Sequence, residues 1–145
     1  MVQRDLVDGT SDEALEAGAS TITVAHARAL VQQFAEVTTS KDVGAFISGF
    51  TDDCVVHYGQ FPEIRGKAAL RDFMTKMFPP RLKAFTCRKT LRSLSGNVIG
   101  VTWISEWTDA QSGNKRKKGR GFEFWIMRGD RIARWDAAFN VWNDD

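Results

Sequence analysis

The stretch Arg131 to Trp142 gathers the chain's strongest candidates for chemistry. In an extended strand Arg134, Asp136 and Asn140 share one face with Ile132, Ala138 and Trp142. A carboxylate beside a guanidinium and an amide can exchange a proton, orient a carbonyl, or form no more than an ion pair. The opposite parity, Ala133, Trp135, Ala137, Phe139 and Val141, is wholly apolar. Alternation therefore leaves two readings open: the apolar face fills the core and Asp136 meets water, or Asp136, Arg134 and Asn140 line a pocket. Tyr58, the only tyrosine, stands two residues before Gln60 at the end of a strand-like run. Its phenol can donate to a substrate oxygen or serve as a satisfied core group. Glu123 shares parity with Trp125 and Met127, and Asp109 shares parity with Trp103 and Trp107. Either carboxylate fits an aromatic pocket or a wet sheet edge.

These side chains need elements to hold them. Val24, Ala27, Leu30, Val31, Phe34 and Val37 recur at helical steps after Thr21 and Thr23, which predicts a helix ending near Thr39. Val43, Phe46, Ile47 and Phe50 mark a second, shorter helix. Cys54 to Gln60 alternates as a strand, and Leu70, Phe73, Met74, Met77 and Phe78 form the stripe of a third helix halted by Pro79-Pro80. Residues 83–93, 97–109, 119–128 and 131–142 then keep the period of two, with turn residues between them. Helices followed by a meander of long strands mark an α+β chain. Both faces of that meander are apolar: Ile99, Val101, Trp103 and Trp107 on one side, Phe122, Phe124 and Ile126 on the other. Three helices cover one side, so the other is expected to meet a second copy of the chain.

The composition excludes several classes. At 145 residues, one domain is expected over 21–145 behind a loose leader of residues 1–20. A net charge of +2 with 26% charged residues suggests neither disorder nor a nucleic-acid partner, and Lys115-Arg116-Lys117-Lys118 reads as a solvated hairpin tip. Cys54 and Cys87 lack any CxxC or Cys/His spacing, while His57 opposes Tyr58 in parity and His26 stands apart, so no metal or other cofactor is expected. No signal peptide or membrane span is apparent, which predicts a cytoplasmic protein without a membrane partner. Five tryptophans and ten phenylalanines suit a deep apolar cavity.

The order of elements resembles the nuclear transport factor 2-like superfamily over residues 23–142. The resemblance rests on Phe50-Thr51-Asp52-Asp53, on Glu63-Ile64-Arg65-Gly66-Lys67-Ala68-Ala69-Leu70, and on Gly129-Asp130-Arg131-Ile132. Gly96-Asn97, Glu106-Trp107, Asp109, Ser112-Gly113 and Gly121-x-Glu123-x-Trp125 are most similar to the SnoaL-like, polyketide-cyclase-like branch. The resemblance implies a cone, a curved antiparallel sheet wrapped around three N-terminal helices. Limonene epoxide hydrolases are distantly similar: their Tyr-x-Asn-x-Pro matches Tyr58-Gly59-Gln60-Phe61-Pro62, which implies that Tyr58 and Gln60 face the cavity. Their catalytic Arg-x-Asp falls on Trp107 and Asp109, and their second aspartate falls on Asn140. Two of the three charged groups are thus missing, and epoxide hydrolysis is not expected. The base of the steroid isomerases is missing too. If Asn140 faces inward as in those enzymes, alternation takes Asp136 and Arg134 inward and sends Trp135, Phe139 and Val141 to a convex, dimerising face with Phe122, Phe124 and Ile126.

The resulting expectation is a homodimeric, small-molecule-binding protein for a hydrophobic or polycyclic compound. Its aromatic pocket holds Trp103, Trp107 and Trp125, closed by Phe34 and Phe46. Asp136, Tyr58 and Glu123 are the candidates for metal-free acid–base catalysis of an isomerase, cyclase or lyase type. Gln60, Asp109, Arg134 and Asn140 are the candidates for binding. The alternative is a non-catalytic binding or interaction module with the same fold.

Overall fold

Capping fixes where the helices begin. The computed structural model describes residues 22–78 and 80–144. The leader expected over 1–20 lies outside them. Helix α1 (Val24–Ser40) starts where the Thr23 hydroxyl accepts the His26 N–H at 3.1 Å, and ends at Lys41 in the left-handed region. It buries Ala27, Val31, Ala35 and Thr38, whereas Val24 stays exposed. Asp42 caps α2 (Val43–Ser48) by accepting the Ala45 N–H at 3.0 Å, and α2 buries Phe46 and Ile47. Helix α3 (Lys67–Met77) buries Leu70 and Met74.

Six strands form one sheet: β1 (Phe50–Tyr58), β2 (Ile64–Arg65), β3 (Leu82–Ser95), β4 (Val98–Asp109), β5 (Lys115–Arg128) and β6 (Arg131–Asn143), in the order β2-β1-β6-β5-β4-β3. The meander β3-β4-β5-β6 is antiparallel as expected, but β1 joins β6 in parallel. Two strands are longer than their periodicity announces. β1 starts at Phe50, and β5 starts at Lys115, so the basic run is paired strand rather than hairpin tip, with Lys115 opposite Asp109 and Lys117 opposite Trp107. The turn itself is the single 3₁₀ turn Ala110–Ser112 followed by Gly113 and Asn114 at positive φ.

The orientation of β6 reverses the expectation. Trp135 pairs with Trp125, Ala137 with Glu123 and Phe139 with Gly121, so Trp135, Ala137 and Phe139 lie on the concave side. Arg134 and Asp136 pair with Ile126 and Phe124 and belong to the convex side, while Asn140, opposite Arg120, is exposed where β6 reaches the open rim of the sheet. A bulge between Ile126 and Met127 absorbs Ala133, which aligns the apolar parity of β6 with that of β5. The physical reason is burial. Trp135 packs 5.6 Å from both Phe46 and Phe50 and 5.5 Å from Tyr58, measured between ring centroids, and an inward Asp136 and Arg134 would have replaced those contacts with desolvated charge. On the convex side Asp136 has partners ready: Arg134 Nε donates to it at 3.1 Å and His57 Nδ1 stands 3.0 Å away. His57 in turn meets Glu63 at 2.6 Å.

Candidate active site

A cavity of about 760 Å³ opens between the concave sheet and the helices. Its sheet wall carries Cys87 and Lys89 from β3, Trp103, Ser105 and Trp107 from β4, Glu123 from β5, and Trp135 and Phe139 from β6. Thr38, Phe73, Met74 and Met77 close the helix side, and Tyr58, Gln60 and Asn140 stand toward the β1 and β6 ends. The flat lie of the indoles follows from two glycines on β5. A Cβ on Gly121 would stand 2.6 Å from Trp103 Cε2, and one on Gly119 would stand 3.2 Å from the Trp107 ring. Gly59, at φ +57, gives similar room to Phe139. The indole N–H groups of Trp103 and Trp107 are buried and have no hydrogen-bond partner among the described residues.

The charged centre of this cavity is an ion pair. Lys89 lies opposite Trp103 in the β3–β4 register, and its side chain crosses β4 to bring Nζ within 2.5 Å of Glu123 Oε1. The two side chains are only 4% and 1% exposed. Trp135 Nε1 donates to the other carboxylate oxygen at 2.9 Å. Three indoles surround the ammonium: Nζ is 5.9 Å from the centroids of Trp103 and Trp135 and 6.0 Å from that of Trp125. Burial, reinforced by the negative charge of Glu123 and by Cys87, raises the Tyr58 phenol above its ordinary range, so it stays a donor through neutral pH. Burial also raises the Cys87 thiol.

The structure sorts the sequence candidates. Tyr58, Gln60, Trp103, Trp107, Glu123 and Asn140 line the cavity, Asn140 at its exposed rim. Trp125 lies behind the wall against Phe34, 5.0 Å between centroids, and Phe34 and Phe46 belong to the core rather than to the lining. Asp109 is fully buried at the end of β4. There it accepts from the Gln111 N–H at 3.0 Å and the Ser112 hydroxyl at 3.1 Å and faces Arg81 at 3.4 Å, which makes it the cap of the 3₁₀ turn. Asp136 and Arg134 stand outside, on the convex face. Lys89 was not among the candidates, although its parity with Phe85, Cys87 and Leu91 was the available signal.

A concave sheet closed by helices over an aromatic cavity is the cone of the nuclear transport factor 2-like class. The SnoaL-like domain model matches residues 31–135, and the chain belongs to that family. Solved structures share the fold at low identity. A provisionally named isomerase from Bacillus subtilis is 21% identical, with 79% of this chain and 86% of that one covered and a TM-score of 0.67. A provisionally named polyketide cyclase from Silicibacter sp. tm1040 is 12% identical over 79% and 88% of the two chains, TM-score 0.68. An LEH-like epoxide hydrolase from M. tuberculosis is 16% identical over 79% and 82%, TM-score 0.61. No curated protein matches the sequence.

Proposed function

We propose that the chain is an acid–base enzyme of the isomerase, cyclase or lyase type acting on a small hydrophobic or polycyclic molecule. Glu123 is the proton acceptor, and Tyr58 is the donor to a substrate oxygen. The observation that carries this reading is the Lys89–Glu123 pair, buried at the wall of a cavity large enough for a metabolite. A buried ion pair is a poor source of stability, because desolvation cancels most of its attraction, so its place beside the cavity points to chemistry. Asp136, expected as the acid–base group, faces away from the cavity and takes no part in this reading. Both oxygens of Glu123 are engaged, by Lys89 and Trp135, and this favours the second reading, a cone that binds without reacting.

Hydrogen–deuterium exchange at the acidic carbon of 2-tetralone separates the two readings. The enzyme reading expects protein-accelerated exchange that falls by about 10²–10⁴ in Glu123→Gln, the usual worth of a positioned acid/base group. Binding of 2-tetralone, seen as tryptophan quenching, without exchange above buffer would leave only the binding module.

A homodimer through the convex face belongs to the same proposal. Its residues are revised to Ile104, Phe122, Phe124 and Trp142, all exposed in the single chain, because Trp135 and Phe139 are committed to the interior.

A further inference from the structure

Lys89 is poised for more than pairing. Its side chain lines the cavity and is 4% exposed, and the ammonium has Glu123 as its hydrogen-bonding partner among the described residues. Passing one proton from Nζ to Glu123 across the 2.5 Å contact discharges both groups. The product is a free amine facing the cavity with a carboxylic acid at hydrogen-bonding distance. A desolvated lysine amine is a nucleophile toward carbonyl carbon. The other nucleophile on this wall, Cys87, is held as the thiol because burial raises its pKa.

We propose that Lys89 condenses with an aldehyde or ketone bound in the cavity to form a protonated Schiff base. The proposal rests on the reading of the cavity as a small-molecule site. In the first step the Nζ lone pair forms the N–C bond, the C=O π bond breaks, and the oxygen takes the proton held by Glu123. The nitrogen of this carbinolamine then returns a proton to Glu123. That proton leaves with the hydroxyl as water while the nitrogen lone pair forms C=N. The net change is lysine ammonium plus carbonyl compound giving iminium plus water, with no change of charge. The iminium therefore inherits the electrostatic seat of the ammonium: the faces of Trp103, Trp125 and Trp135 and the Glu123 carboxylate. Each proton transfer uses the one carboxylate, already 2.5 Å from the nitrogen.

Reductive trapping tests this directly. The protein is incubated with 2-naphthaldehyde and sodium cyanoborohydride near neutral pH, and labelled lysines are mapped by mass spectrometry. The expected result is reduced adduct at Lys89 forming about tenfold or more faster than at the exposed Lys76 and Lys115, with the advantage lost in Glu123→Gln. If that variant does not fold, 2-naphthol, which has no carbonyl, serves as competitor on the unmodified protein: it should block labelling at Lys89 and leave Lys115 unchanged. Adducts confined to surface lysines, while 2-naphthaldehyde quenches cavity tryptophan fluorescence, overturn the Schiff base and leave the cavity reading intact. Absence of both quenching and Lys89 adduct overturns the two together.

Discussion

Three carboxylates show how position decides role. Glu123 sits in the cavity against an ammonium and an indole N–H, Asp136 shares the convex face with His57 and Arg134, and Asp109 is spent on a turn. Burial acts to raise the Asp109 carboxyl. The Gln111 N–H, the Ser112 hydroxyl and the Arg81 guanidinium outweigh it, and the pKa falls below the ordinary carboxylate value. A group depressed in the folded state contributes stability above its unfolded pKa, about 3.9 for aspartate, and that contribution is lost as pH falls through the folded value. Asp109→Asn is therefore expected to lower stability by about 1–3 kcal/mol at neutral pH, the range for a charged hydrogen-bonding group. The gap from wild type should close below about pH 4. Thermal melts of both proteins from pH 3 to 8 check it, and a gap that stays constant into acid would assign the loss to packing instead. The same contrast explains what the sequence could show at this scale. Parity with Trp125 and Met127 leaves Glu123 open between a pocket and a wet edge, and Tyr58 is placed by similarity at Tyr58-Gly59-Gln60-Phe61-Pro62 rather than by alternation. A lysine between Arg88 and Thr90 reads as solvated, and only its neighbours two steps away, Cys87 and Leu91, reveal the inward face of Lys89.

Among the elements, β5 sets the shape of the cavity. Its inward positions run Gly119, Gly121, Glu123, Trp125, so the wall is bare where the indoles of Trp103 and Trp107 lie down and functional where it meets Lys89. A Cβ at position 121 would stand 2.6 Å from the Trp103 ring and 2.7 Å from the Ala138 carbonyl oxygen, and the second of these is backbone that cannot step aside. Gly121→Ala should therefore cost about 1–3 kcal/mol, as overpacking does, and push the Trp103 indole into the cavity. Chemical denaturation together with titration of 2-naphthol measures both effects, and a variant with unchanged stability and affinity would refute this account of the wall. The three helices and the strand meander were readable from period alone. The facing of β6 also shows in the plain apolar parity of Trp135, Ala137 and Phe139, although similarity at Asn140 points the other way, and only the bulge at Ala133 escapes the pattern. Alternation without the analogy gives the observed answer. The parallel seat of β1 beside β6 also escapes local pattern, since it joins segments some 80 residues apart in sequence.

At the scale of the molecule, one strand serves two opposed purposes. Glu123 faces the cavity, while its neighbours Phe122 and Phe124 are 65% and 54% exposed on the convex side, and Ile104, opposite Arg120, and Trp142, opposite Lys118, are exposed further along the same face. The helices lie on the concave side, and among the described residues nothing covers these aromatics. Adjacent exposed apolar side chains of this size mark an interaction surface in a soluble protein. Two copies related by a two-fold axis can cover the same patch on each other, and a stable interface of this kind buries about 1,200–2,000 Å² in total. In such a dimer the register of β5 would be pinned from both sides, since a slip of one residue would put Glu123 into the interface and an aromatic into the place of the ion pair. Phe122→Asp should accordingly convert a dimer into a monomer in sedimentation, and 2-naphthol binding should persist because the substituted side chain points away from the cavity. A wild-type protein that sediments as a monomer at tens of micromolar sinks the dimer. A Phe122→Asp variant that also loses the ligand would mean instead that closing the convex face is what holds Glu123 against Lys89.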